Sequence, residues 1–244
     1  MTSDSTNPPT AAPTSPAEGR VRPSSDDRDD RIARALRGFG PLGLLAMLVI
    51  VVAFNPAIKS LLVLAWAWRS RTPWRDIGYV RPRSWLRTLM VGLVLGAAFK
   101  LLMKAIVMPL LGAPPTNSAY HFLVGNTAVL PAMVLAVIVG AGFGEETFFR
   151  GYLFERLGKL FGSSVSAKTS IVVLTSVVFA LVHIPEQGLA GAEQALVTGL
   201  AFGSIFAVTG RLFPLMIAHA AFDLTAVAII YWNLEAVVAH LVFR

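Results

Sequence analysis

The chain has no cysteine. Disulfides, thiolate metal sites and cysteine nucleophiles are therefore excluded. Charge is scarce too. Only 14% of the 244 residues are Asp, Glu, Lys or Arg, where a soluble domain carries about 25%, and 55% are hydrophobic. Acids are almost missing over one long stretch. Six of the 14 lie at or before Asp30, and from there to Glu145 the only one is Asp76. A carboxylate at mid-bilayer costs roughly 2.5–3.5 kcal/mol or more. Such avoidance, with a mean hydropathy of +0.65, marks a chain whose solvent is largely lipid.

The net charge of +7 does not point to nucleic acid. The arginines cluster between apolar runs, at Arg69, Arg71, Arg75, Arg81, Arg83 and Arg87, as juxtamembrane loops facing anionic lipid headgroups do. No basic stripe interleaved with aromatics for base stacking is present. Six Arg against one Asp favour a cytoplasmic position for this loop. Trp66, Trp68, Trp74 and Trp85 around it form an interfacial belt.

Residues 1–30 are rich in Pro, Ser, Thr and Asp. They lack the apolar surface that folding requires and read as a disordered tail without a signal peptide. Residues 31–124 hold N-terminal transmembrane helices and the basic loop. There the apolar run from Phe39 to Trp68, interrupted by Asn55-Pro56 and Lys59, is too long for one span and too short for two. It reads either as one helix kinked at Pro56 or as a tight hairpin. Leu86 to Leu111 is a span with Lys100 and Lys104 on one face, and residues 116–126 are a re-entrant or interfacial connection. In residues 125–235, the membrane core, spans are expected at Thr127–Gly142, Lys168–His183, Leu189–Val208 and Leu212–Trp232, with a mixed amphipathic stretch at 152–166. Residues 236–244 are a short tail. The fold class is all-α: a polytopic transmembrane bundle of about six to eight helices, multi-pass in an inner membrane.

Ionisable groups inside such helices are functional candidates by default. Three sets stand out. Gly144-Glu145-Glu146-Thr147-Phe148-Phe149-Arg150 places Glu146 and Arg150 four apart, where they can pair, and sets Glu145 ~100° round the helix. Phe179-Ala180-Leu181-Val182-His183 ends a span before Pro185. His219-Ala220-Ala221-Phe222-Asp223 puts an imidazole and a carboxylate on one face of the last span. Each alone is open to a bland reading: a membrane-edge salt bridge, a hydrogen-bonded interfacial histidine, a helix-stabilising polar pair. Together, groups from three helices in low dielectric favour one shared polar pocket. A carboxylate and an imidazole around one water supply a general base, and a second pair can orient or donate to an oxyanion. His121 and His240 read as surface or interfacial residues.

These three boxes resemble the type II prenyl-protein (CAAX) endopeptidase and bacteriocin-processing family, called CPBP or Abi. Its marks are Glu-Glu-x-x-x-Arg, Phe-x-x-x-His and His-x-x-x-Asn/Asp on successive helices. Gly151 and Tyr152 after the arginine are also typical, and the resemblance covers roughly residues 125–235. It implies an intramembrane glutamic endopeptidase in which Glu145 and His183 activate water, His219 and Asp223 form the oxyanion site, and Glu146, Arg150 and Phe179 brace it. One departure is Asp223, where Asn is common: Asp donates a hydrogen bond only when protonated, so it can instead orient His219. The expected partners are membrane lipids and a peptide or lipidated protein anchored in the membrane. No cofactor is expected, because the His-Glu-x-x-His signature of zinc proteases is absent. The alternative is zinc held by Glu145, His183 and His219. Two non-hydrolytic readings remain beside this one. The first is an immunity or scaffold protein of the same fold. The second is a small transporter, against which stands the absence of interrupted helices in two similar halves.

Overall fold

The computed structural model describes residues 25–243. All regular structure among them is helical: α1 (Ser25–Arg37), α2 (Pro41–Val52), α3 (Pro56–Arg69), α4 (Trp85–Leu110), α5 (Leu130–Phe161), α6 and α7 within Val165–Thr209, α8 (Leu212–Tyr231) and α9 (Glu235–Ala239). The first 24 residues of the stretch read as a tail lie outside the described residues. Its remainder, from Ser25, belongs to α1. Asp26 and Asp27 sit in the first turn of that helix and Arg34 and Arg37 in the last, the polarity that the helix dipole favours. Asp29 and Asp30 pair with Arg69 and Arg71. Two of the acids that suggest an unfolded tail are thus partners of the basic loop.

Among the described residues, four stretches are long and apolar enough to cross a membrane, Trp85–Leu110, Leu130–Phe161, Val165–Thr209 and Leu212–Tyr231, and the pair Asp26–Arg37 and Pro41–Val52, bent by 58°, passes only together. The third is two helices. Gly188 breaks it with φ 65° and ψ −163°, a backbone state open to glycine and strained for other residues. The halves 165–187 (α6) and 189–209 (α7) then fold back on each other. A Cβ built on Gly199 would lie 3.0 Å from Ser176 Cα, and one on Gly203 would lie 3.3 Å from Val172 Cγ1. The small residues of α7 let the arms meet at backbone distance. Each arm is about 30 Å long, a full membrane crossing.

The run from Phe39 to Trp68 is a hairpin. Ile50 of α2 and Val63 and Trp66 of α3 share one buried cluster, and Trp66 Nε1 donates to Leu36 O at 3.0 Å. Asn55 starts α3 by accepting from the Ala57 and Ile58 amides at 2.9 and 3.2 Å. With 12 and 14 residues, the two helices reach only about 20 Å, so the hairpin is re-entrant. Its turn meets α5 halfway, where a Cβ on Gly144 would lie 2.8 Å from the Pro56 carbonyl.

Helix α5 runs unbroken through the glutamates to Phe161, so the amphipathic stretch after Tyr152 continues a span up to that residue. α4 and α8 pack closely and in parallel. Gly96 lies against Ala218 and Ala221, and Gly92 lies against Ile217. The bundle therefore has two distinct ends. The basic end carries loop 70–84 and the turns at 162–164 and 210–211. The opposite end carries loop 111–129, the Gly188 turn and the α9 segment.

Candidate active site

The centre of α5 is wound more widely than an α-helix, with π turns over Ala136–Glu145 and Thr147–Tyr152. Widening shifts amide bonds from i−4 to i−5 carbonyls. Thr147 Oγ1 donates to Phe143 O at 2.7 Å, supplying that carbonyl with a side-chain partner. Having given its proton there, Thr147 accepts from Tyr79 O–H at 2.8 Å. Glycines clear the space around the turn: a Cβ on Gly142 would meet Ala220 Cβ and Met216 O, both at 2.9 Å.

The sequence boxes meet here in two layers. The buried layer is built on Glu146, which is 0% exposed. Its Oε1 accepts from Arg150 Nη1 at 2.8 Å and from His219 Nδ1 at 2.7 Å. The Arg150 guanidinium lies 4.7 Å from the Phe179 ring and 5.9 Å from that of Phe202. A buried carboxylate is tolerable only with such partners.

The second layer is open. The Glu145 and Asp223 side chains are 19% and 29% exposed. His219 Nε2 lies 3.8 Å from Glu145 Oε2 and 3.6 Å from Asp223 Oδ2. Both separations exceed a hydrogen bond and leave room for a bridging oxygen. His183, half-buried, sits edge-on to Phe179 with ring centroids 4.5 Å apart. Its Nδ1 lies 2.6 Å from Phe179 O. A carbonyl only accepts, so Nδ1 carries the hydrogen and Nε2 of the neutral ring is a free acceptor. Glu145 feels the charges of His219, His183, Asp223 and Arg150.

Every residue singled out in the three boxes is therefore in or beside one site. His121 and His240 are exposed, as read from the sequence. Among the described residues no three His, Asp or Glu side chains are grouped to hold a metal ion. The alternative zinc set Glu145, His183 and His219 is not gathered as such a group.

Other neighbours escape a reading by boxes. Lys100 and Lys104 are buried. Lys100 Nζ donates to Gln194 Oε1 at 2.9 Å, lies 4.8 Å from the Phe222 ring and is attracted by Asp223. Lys104 pairs with Glu235 at 2.9 Å. Lys59 of the re-entrant hairpin lies 4.3 Å from the Phe148 ring and is attracted by Glu145. The interruption of its apolar run was the one sequence signal for it. Tyr120, in loop 111–129, accepts from Gln187 Nε2 at 3.2 Å. Burial and the nearby carboxylates of Glu186, Asp223 and Glu145 push its phenol above the ordinary value, so it remains a proton donor at the rim.

Residues 127–225 match the family described as Type II CAAX prenyl endopeptidase Rce1-like. The match holds all three boxes. No curated protein and no solved structure matches the chain.

Proposed function

We propose that the protein is an intramembrane endopeptidase of the inner membrane. Its substrate is a peptide or lipidated protein segment anchored in the bilayer. The observation that carries this reading is the convergence of the three boxes on His219, with Nδ1 tied to Glu146 and Nε2 facing Glu145 and Asp223.

Glu145 and His183 Nε2 are the acceptors on the open side of the site. They take a proton from water as its oxygen attacks the scissile carbonyl carbon. The resulting oxyanion lies toward His219. When that imidazole is protonated, its Nε2–H stabilises the developing charge, and Asp223 orients the ring. The proton held by Glu145 then passes to the leaving nitrogen, the C–N bond breaks, and a carboxylic acid and an amine are released, between which the remaining water proton is then exchanged. Glu146 and Arg150 touch no reacting atom; they fix the position of the His219 ring.

The test is cleavage of a library of membrane-tethered peptides in proteoliposomes, read by mass spectrometry. Wild type, Glu145→Gln and wild type with a strong zinc chelator are compared. Cleavage by wild type with and without chelator, and none by Glu145→Gln, is the expected result. Loss with chelator and recovery with zinc contradicts glutamate activation of water. Peptide capture by Glu145→Gln at wild-type affinity separates loss of chemistry from loss of binding. Capture with no cleavage by wild type favours the scaffold reading.

A further inference from the structure

Two spans begin side by side at the arginine-rich end. α4 starts at Trp85 and α8 at Leu212, and the two helices run parallel from there. Their first aromatic residues, Trp85 and Phe213, meet edge to face with ring centroids 5.0 Å apart. Loop 70–84 adds Tyr79, 5.6 Å from Phe213, and Trp74, 6.0 Å from Tyr79. These four rings and Arg81 line a cleft of about 480 Å³, a volume within the ~300–1,000 Å³ of small-molecule sites. Both spans are long enough to cross a membrane, so the cleft at their shared start lies at the level of lipid headgroups.

The walls of the cleft are fixed by bonds beneath it. Gly78 takes φ 81°, a left-handed state that glycine adopts freely, and its carbonyl accepts from Leu212 N–H at 2.9 Å. Tyr79 N–H donates to Trp74 O at 2.9 Å, and Tyr79 O–H donates to Thr147 at 2.8 Å. The rim is open: Trp74 and Trp85 are 45% and 50% exposed, and Arg81 is exposed.

The charge around the cleft has one sign. The one acid of loop 70–84, Asp76, pairs with Arg75 at 3.6 Å. Among the described residues, Arg81, Arg83, Arg87 and Arg211 have no acidic partner. A guanidinium fork matches phosphate oxygens two at a time. Trp and Tyr rings at this depth offer an apolar body with a polar edge toward water.

We propose that this cleft seats one anionic phospholipid, its phosphate on Arg81 and the start of its acyl chains against the Trp74, Tyr79, Trp85 and Phe213 rings. A zwitterionic lipid would bring its own cation toward four unpaired arginines and is disfavoured. The seat needs no catalysis, so it stands or falls apart from the peptidase reading.

The test is native mass spectrometry of the full chain in detergent, titrated with phosphatidylglycerol, phosphatidylcholine or glycerol phosphate, the last carrying the phosphate without the chains. Wild type is compared with Arg81→Gln, with Trp74→Ala, which removes a ring and no charge, and with Arg75→Gln. The Arg75 side chain is 82% exposed and lies outside the cleft, so its loss lowers the loop charge equally. One phosphatidylglycerol per chain is expected to bind. Arg81→Gln should weaken it about ten- to hundredfold, the scale of one charge-assisted hydrogen bond. Trp74→Ala should weaken it too, and Arg75→Gln should leave it unchanged. Equal weakening by Arg81→Gln and Arg75→Gln would mean a diffuse charge effect and overturns the proposal. Binding of phosphatidylcholine, or of glycerol phosphate, as tight as that of phosphatidylglycerol removes the anionic lipid as occupant and overturns it as well.

Discussion

Glu146 and His219, 73 residues apart, are joined by a 2.7 Å bond between Oε1 and Nδ1, and that same oxygen accepts from Arg150. One buried carboxylate thus determines which nitrogen of the histidine faces Glu145 and Asp223. Neighbouring glutamates on one helix take different roles because of where the wide turn points them. Glu146 is sealed between two cations or donors, and Glu145 looks into the open side.

The buried member of the pair is a stability element. Glu146→Gln leaves the Arg150 guanidinium uncompensated inside the bundle, which is expected to destabilise the protein by about 3–5 kcal/mol. Thermal unfolding in detergent checks this. Glu146→Gln combined with Arg150→Met, which removes both charges, should recover much of the loss. A double variant less stable than Glu146→Gln alone contradicts the pairing.

Asp223 is expected to act on His219 rather than on the oxyanion. Asp223→Asn keeps a side chain of the same shape beside His219 Nε2, 3.6 Å away, and adds an amide donor, so it retains cleavage. Asp223→Ala removes the polar group and lowers kcat by about 10²–10³-fold, the scale of losing one oriented polar group at an oxyanion. The rate of a single cleaved peptide under saturating conditions distinguishes the two. Equal loss in both variants contradicts the orienting role.

The α6–α7 hairpin depends on close approach at Gly199. Gly199→Leu drives a side chain into the Ser176 backbone, 3.0 Å from the first added carbon, and is expected to cost ~1–3 kcal/mol. Chemical unfolding followed by tryptophan fluorescence measures it. A variant as stable as wild type would mean that the arms do not pack at this point.

Much of this was visible in the residues. Lipid solvent follows from the missing acids, the three boxes follow from i, i+4 spacing, and the break between α6 and α7 follows from Pro185 between two apolar runs. Other features were invisible because they are set by contacts across the fold. Whether Asn55-Pro56 kinks a helix or turns a hairpin is decided by packing of α2 on α3 and of Pro56 on Gly144. Composition assigned Asp29 and Asp30 to a tail because their partners, Arg69 and Arg71, lie about 40 residues away. Lys104 and Glu235, 131 residues apart, carry no mutual signal in a single sequence. The i, i+4 spacing that pairs Glu146 with Arg150 is present in the structure, whereas the bond from His219 to the same carboxylate, 73 residues away, carries no signal in a single sequence.

The most direct measurement is the cleavage rate of Glu145→Gln against wild type on one identified peptide in proteoliposomes, with thermal unfolding recorded on the same samples. The account predicts no detectable cleavage by the variant and an unchanged midpoint, because Glu145 is partly exposed and its nearest charged neighbour, His219 Nε2, lies 3.8 Å away. Cleavage at the wild-type rate by a folded Glu145→Gln protein would contradict it.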